Sequence, residues 1–304
     1  MNKKNTEDKQ INYTYHTVAF LDILGQRERL KKLNGVLDSD PLDSKLIYDT
    51  LSKTYQNVNE FRKMFKDFFN SYANERIKYP FANNIQEKFD SFRGNTELLI
   101  QNISDSVIIS SPVNILGEDS LPRIINSLSS TLLSTATIML VMLARRCPIR
   151  GGIDLEGAIK FTDGNNEVYG PALANAYELE SKHAQYPRVI VGENFLEMLS
   201  YFNDYDYQDK QIEHYVKGMV SKCEGLLIPD KDGRIIIHFL CNFMLSIFLE
   251  NDQYSNFLKN IISNSNEYIN DQISLHDKKD ILYHRYIKFS KYFNLYIPRW
   301  KDSI

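Results

Sequence analysis

Asp22 stands inside Val18-Ala19-Phe20-Leu21-Asp22-Ile23-Leu24, an apolar run that stops at Gly25. That is the pattern of a buried strand turning at a glycine. A carboxylate buried alone is costly, so Asp22 needs a cation, a donor network or a metal beside it. Asp105 occurs in a comparable setting, near the turn between two β-type runs in Leu98–Ile109. If the two strands converge, their carboxylates form an all-oxygen site suited to Mg²⁺ or Mn²⁺. A strand-end residue or a structural ion-pair partner fits the same spacing.

Further segments add weight to the metal reading. Phe20-x-Asp22-Ile23-x-Gly25, Ser104-Asp105, Arg150-Gly151-Gly152-Ile153 and Tyr169-Gly170 follow one another along the chain. In order and character they resemble the class III nucleotidyl cyclases. Gly170-Pro-Ala-Leu, then Ala176-Tyr-Glu-Leu-Glu180, and Ala184-Gln-Tyr-Pro-Arg188-Val-Ile-Val look like the pyrimidine cyclases of bacterial Pycsar anti-phage systems. The resemblance spans about residues 15–240 and implies an α/β fold, a mixed sheet with flanking helices. It also implies two metal ions held by Asp22, Asp105 and the Ile23 carbonyl. The turn at Gly25 and Gln26, with free backbone N–H groups, would cradle a triphosphate, and Arg150 would contact it. Arg150 also reads as a plain surface residue on a strand.

The chemistry implied is attack of a ribose 3′-hydroxyl on the α-phosphate, with release of pyrophosphate. Purine-specific members place an Asn four residues and an Arg eight residues after the glycine that matches Gly170. This chain has Ala174 and Glu178 there. Arg188 is the candidate for the missing transition-state cation, or else a surface residue at a strand start. The family's base-reading positions fall at Gln101 and Glu167. A Gln both donates and accepts while a carboxylate accepts, a pair that suits uracil or guanine better than adenine. Two exposed polar residues on strands would look the same. The resemblance thus implies a nucleoside triphosphate substrate, UTP favoured, a head-to-tail homodimer, and a cyclic product read by a separate effector protein in antiviral defence. Cytidylate or purine cyclisation, or a catalytically silent nucleotide-binding fold, are the alternatives.

The 304 residues are 43% hydrophobic and 25% charged, the balance of an ordinary globular protein. A net charge of −3 gives no electrostatic footprint for nucleic acid. Cys147, Cys223 and Cys241 are scattered and odd in number, which fits reduced thiols in the cytoplasm and no zinc site. Residues 1–12 read as a disordered tail, neither a leader nor an anchor. Leu132–Ala144 is too short and too interrupted to span a bilayer and reads as a buried helix.

The elements expected are a strand over 15–24, a hairpin over 97–112, a helix over 121–145, a helix from Ala172 to about His183 and a strand at Val189–Val191. A helix over Phe195–Phe202 and a hairpin over Leu226–Leu240 follow. The two aspartates lie 83 positions apart, so residues of about 40–95 read as a helical insertion in a catalytic domain of 13–240. Residues 241–304 read as a C-terminal helical extension broken at Ser263-Asn264-Ser265-Asn266.

Overall fold

The computed structural model describes residues 13–35, 43–74, 96–161, 167–249 and 254–304. The expected tail over 1–12 and the later part of the insertion, 75–95, lie outside these residues. Strand β1 (Tyr13–Ile23) is an interior strand of the sheet because its apolar run can be buried on both faces. Successive side chains of a strand point to opposite faces. Ala19, Leu21 and Ile23 therefore enter the large core, and Val18 and Phe20 enter a smaller one. Asp22 has the parity of the smaller core.

The sheet has eight strands among the described residues, with β1 antiparallel to both its neighbours, β3 (Ser106–Val113) and β4 (Ile149–Phe161). The path begins with β2 (Leu99–Ile103), runs through β3, β1 and β4, and continues through β6 (Val189–Val191), β8 (Ile235–Ile237) and β7 (Leu227–Pro229). β5 (Glu167–Tyr169) pairs with the far end of β4. Only β4 and β6 run parallel, so this is the mixed α/β sheet expected.

Helix α1 (Gln26–Lys31) follows the turn at Gly25, and α2 (Ser44–Asn74) is the described part of the insertion. Phe61, Phe65 and Phe69 of α2, spaced by four, are fully buried, whereas Tyr48 and Tyr55 are exposed. They pack toward α3 (Leu121–Ala144), which is buried along almost its whole length. Three of its hydroxyls are satisfied within the helix: Thr131, Thr135 and Thr137 each donate to the carbonyl four residues back. By length and composition this helix could cross a membrane, so the shorter window read from the sequence understates it; its apolar residues are buried inside the protein.

α4 (Pro171–Glu178) continues into a five-residue π turn, Leu179–His183. α5 (Glu193–Asp204) follows, and α6 (Lys210–Gly225) lies where no element is expected above. Asp209 caps α6 by accepting from the Gln211 and Ile212 N–H groups. α7 (Asn242–Leu249), α8 (Tyr254–Leu275) and α9 (Ile281–Ser303) complete the chain.

The break expected at Ser263–Asn266 is absent, because α8 runs straight through it. Ser and Asn compete locally with helical hydrogen bonds. Here Ile261, Ile262, Ser265 and Ile269 form a buried stripe, and that packing overrides the local preference. The interruption falls instead at 276–280, where Asp280 caps α9. All three cysteines are buried and unpaired, as expected.

α4 lies against β4 at a separation only glycine allows. A Cβ on Gly152 would stand 2.3 Å from the Ala176 carbonyl oxygen and 2.5 Å from Leu179 Cβ. Gly152→Ala should therefore lower stability by about 1–3 kcal/mol, read as a shift in the urea midpoint. An unchanged midpoint would mean that α4 does not approach this closely.

Candidate functional site

Strand register builds the site. Asp22 sits directly across from Ser106 on β3 and from Arg150 on β4. Ser106 Oγ donates to Asp22 Oδ1 at 3.0 Å, and Arg150 Nε donates to Oδ2 at 3.1 Å. The same Nε lies 2.7 Å from Glu180 Oε1. That contact lacks the alignment of a hydrogen bond, and Oε1 remains buried without one. Arg150 Nη1 and Nη2 have no hydrogen-bond partner among the described residues.

Asp105 is placed by the turn between β2 and β3. Its backbone carbonyl accepts from Ile23 N at 3.4 Å, which ties the turn to the end of β1. Ser104 before it takes a positive φ of 56°, uncommon for a residue with a side chain. Burial pushes the Asp22 pKa up, Arg150 opposes this, and the negative field of Asp105 adds to it. Burial raises Glu180 likewise, with Arg150 opposing and both aspartates reinforcing. Two carboxylates thus share Arg150, within the field of a third, Asp105.

That donor set fits a hard divalent ion. Asp22 carries about four lone-pair positions, of which the chain occupies two. The donors on offer are the carboxylates and the Ile23 carbonyl, all oxygen. Among the described residues no three His, Cys, Asp or Glu side chains form a metal cage by themselves. Two carboxylates with remaining positions left to water and substrate phosphate are characteristic of Mg²⁺ rather than of a closed protein cage.

Gly25 adopts φ 85° at the turn into α1, a left-handed conformation that favours glycine. Gln26 beside it is 0% exposed, and neither atom of its side-chain amide has a hydrogen-bond partner. An amide buried in that way is a group prepared for a partner. Gln101 lies on the face of Asp22, in the row Gln101–Ile108–Phe20, two strands to the side.

Glu167 is elsewhere. It opens β5, opposite Phe161, and accepts from the Tyr169 hydroxyl at 3.1 Å. Phe161 stands eleven residues beyond Arg150 on β4, so Glu167 is roughly 35 Å from Asp22 at the rise of an extended strand. Within one chain the two base-reading candidates do not meet.

Arg188 is also held away from Asp22. Its guanidinium is paired with Asp230, donates to Asp232 Oδ2 and to the His183 carbonyl, each at 2.7 Å, and lies over the Tyr186 ring. Ala174 and Glu178 are exposed on α4, and Glu178 pairs with Lys182 at 2.8 Å.

Glu180 is the residue the motif reading does not single out as functional. The signal was available: Ala172, Ala176 and Glu180 recur every four residues, so Glu180 falls on the stripe of α4 that the two alanines bury.

No protein-family model matches the chain, and no curated protein does. Among solved structures, the adenylyl cyclase CyaB from P. aeruginosa is similar at 14% identity and a TM-score of 0.38, covering 63% of this chain and 83% of that one. The monomeric guanylyl cyclase domain of a RhoGC fusion protein from the aquatic fungus Blastocladiella emersonii is similar at 12% identity and a TM-score of 0.37, covering 74% and 95%. The guanylyl cyclase Cya2 is similar at 11% and 0.28, covering 62% and 79%. The residues of the site, not these distant likenesses, carry the functional conclusion.

Arg150→Met would leave Asp22 and Glu180 buried without their cation. Removing one partner of a buried pair costs about 3–5 kcal/mol, so that loss is expected at pH 7–8. Both acids have raised folded pKa values. Protonation therefore relieves the variant as pH falls toward their ordinary values of 3.8 and 4.5. Urea titrations at pH 8 and pH 5 should show a smaller deficit at pH 5; a deficit independent of pH would remove the charge argument.

Proposed function

We propose that the protein is a nucleotidyl cyclase that converts a nucleoside triphosphate, UTP preferred, to its 3′,5′-cyclic monophosphate and pyrophosphate. What supports this reading is that Asp105, 83 positions along the chain from Asp22, lies on the turn tied to the end of β1, near enough for its charge to raise the Asp22 pKa, while Arg150 pairs with Asp22. Mg²⁺ or Mn²⁺ bound by Asp22, Asp105 and the Ile23 carbonyl would lower the pKa of the attacking hydroxyl and neutralise the phosphates.

In this reading the chain's own residues orient and hold. The backbone of the positive-φ turn at Gly25 and Gln26 faces the polyphosphate, and the free Nη atoms of Arg150 bind it while Nε fixes Asp22. Gln101 and Glu167 read the base. Because Glu167 stands so far from Asp22, a second copy packed head to tail would supply it. In keeping with the Pycsar resemblance, the product would serve in the cytoplasm as an antiviral signal to a separate effector.

One observation favours a second reading, a cyclase fold that binds nucleotide without turnover. Arg188 is committed to Asp230 and Asp232, and no cation stands at Ala174 or Glu178. Incubation with each triphosphate and Mn²⁺ separates the two, since only the first yields a cyclic product. Asp105→Ala should cut turnover at least ~100-fold, the scale of an essential charge-stabilising group, with circular dichroism unchanged. Retained activity would remove Asp105 from the site.

The two-copy arrangement has its own test. Asp105→Ala and Glu167→Ala chains, each inactive alone, should on mixing recover about a quarter of wild-type activity, because half the dimers of a two-fold pair are mixed and hold one complete site. No recovery, with dimers demonstrably exchanged, would place base reading within one chain.

A further inference from the structure

A cavity of about 610 Å³ lies between the π turn, the β7–β8 hairpin and α9. Its charge is unbalanced. The two acids on its wall, Asp230 and Asp232, are already engaged: Arg188 pairs with both, Tyr186 donates to Asp230, and Arg234 lies 3.9 Å from Asp232. Lys231, Lys288 and Lys291 also line it, and none of the three has an acidic partner among the described residues.

Arg188 itself lines the cavity with its side chain only 6% exposed, and its Nε–H is buried without any acceptor. Tyr296 adds an aromatic wall, its ring centroid 4.2 Å from that of His238 in a tilted contact. Three unpaired ammonium groups around a pocket with an orphaned guanidinium donor attract a compact polyanion, and the volume is that of a small-ligand site.

We propose that this cavity binds a small ligand carrying two or more phosphate groups, independently of the Asp22 site and without metal. The inference does not rest on the cyclase reading. The two sites are joined through the backbone, since the π turn carries both Glu180 and the cavity residues Lys182 and His183, and the Arg188 carbonyl accepts from Gly151 N at 3.0 Å.

Calorimetric titration of the full chain with inorganic pyrophosphate in EDTA tests it. One binding event per chain is expected, unchanged in the Asp105→Ala chain and weakened at least tenfold in the Lys288→Glu/Lys291→Glu chain. Both lysines are exposed on α9, and Lys259→Glu, on an exposed position of α8, serves as a charge control that should leave binding intact. No heat at millimolar pyrophosphate, or equal affinity in the double variant, would overturn the proposal. So would loss in Asp105→Ala, which would assign the heat to the Asp22 site.

A second arm with a nucleoside triphosphate identifies the source of the phosphates. Tighter binding than pyrophosphate that is lost in Tyr296→Ala assigns a nucleotide whose base lies on that ring, and affinity no greater than pyrophosphate assigns the free anion.

Discussion

The register of β1 between β3 and β4 is the constraint from which the site follows. With Asp22 opposite Ser106 and Arg150, a donor and a cation arrive together at one carboxylate. A slip of one residue would turn Asp22 into the large core in place of Leu21 and Ile23, away from both. The register is fixed because β1 is apolar on both faces and the two cores differ in size. Ala19, Leu21 and Ile23 meet the long helix α3, whereas Val18 and Phe20 meet the alanines of α4. Packing of the apolar residues thus determines where the charge goes.

The charge arrangement is poorly suited to stability and well suited to binding. A buried ion pair roughly breaks even against apolar replacements of the same volume. Here one guanidinium stands against Asp22 and Glu180 with Asp105 nearby, so the site retains an uncompensated negative charge at low exposure. Burial raises both carboxyl pKa values, and their proximity adds to it. Such a cluster is a feature of sites that meet a cation during function. Glycine sets its geometry: without a side chain at Gly152, α4 comes close enough for Glu180 to reach Arg150.

Much of this is legible in the sequence where one rule dominates. The strand over 15–24, the hairpin carrying Asp105 and the helix over 121–145 each rest on a strong apolar period, and each is found within two residues of its expected bounds. The rule fails where tertiary packing competes with local preference, as at Ser263–Asn266, where a buried stripe holds the helix through four weak formers. It is also silent on partners. Arg188 is visible as an arginine at a strand start, but Asp230 and Asp232 come from a hairpin some forty residues later, and nothing in local spacing links them. Glu180 is intermediate, since its period is readable and its approach to Arg150 is not.

The π turn Leu179–His183 is where these arguments meet. A π turn carries an extra residue per turn and is frequent at functional positions. In this chain Glu180 is buried toward Arg150 on the sheet while Lys182 and His183 line the cavity beside the hairpin of β7 and β8. Arg188 then ties that hairpin to the backbone of β4 next to Arg150, through His183 on one side and Gly151 on the other. The acidic centre and the basic cavity are therefore neighbours in the fold. They are two sides of one short irregular segment, held by a buried arginine whose Nε still lacks a partner. Any anion that engaged that nitrogen would bear on the same turn that presents Glu180 to the sheet.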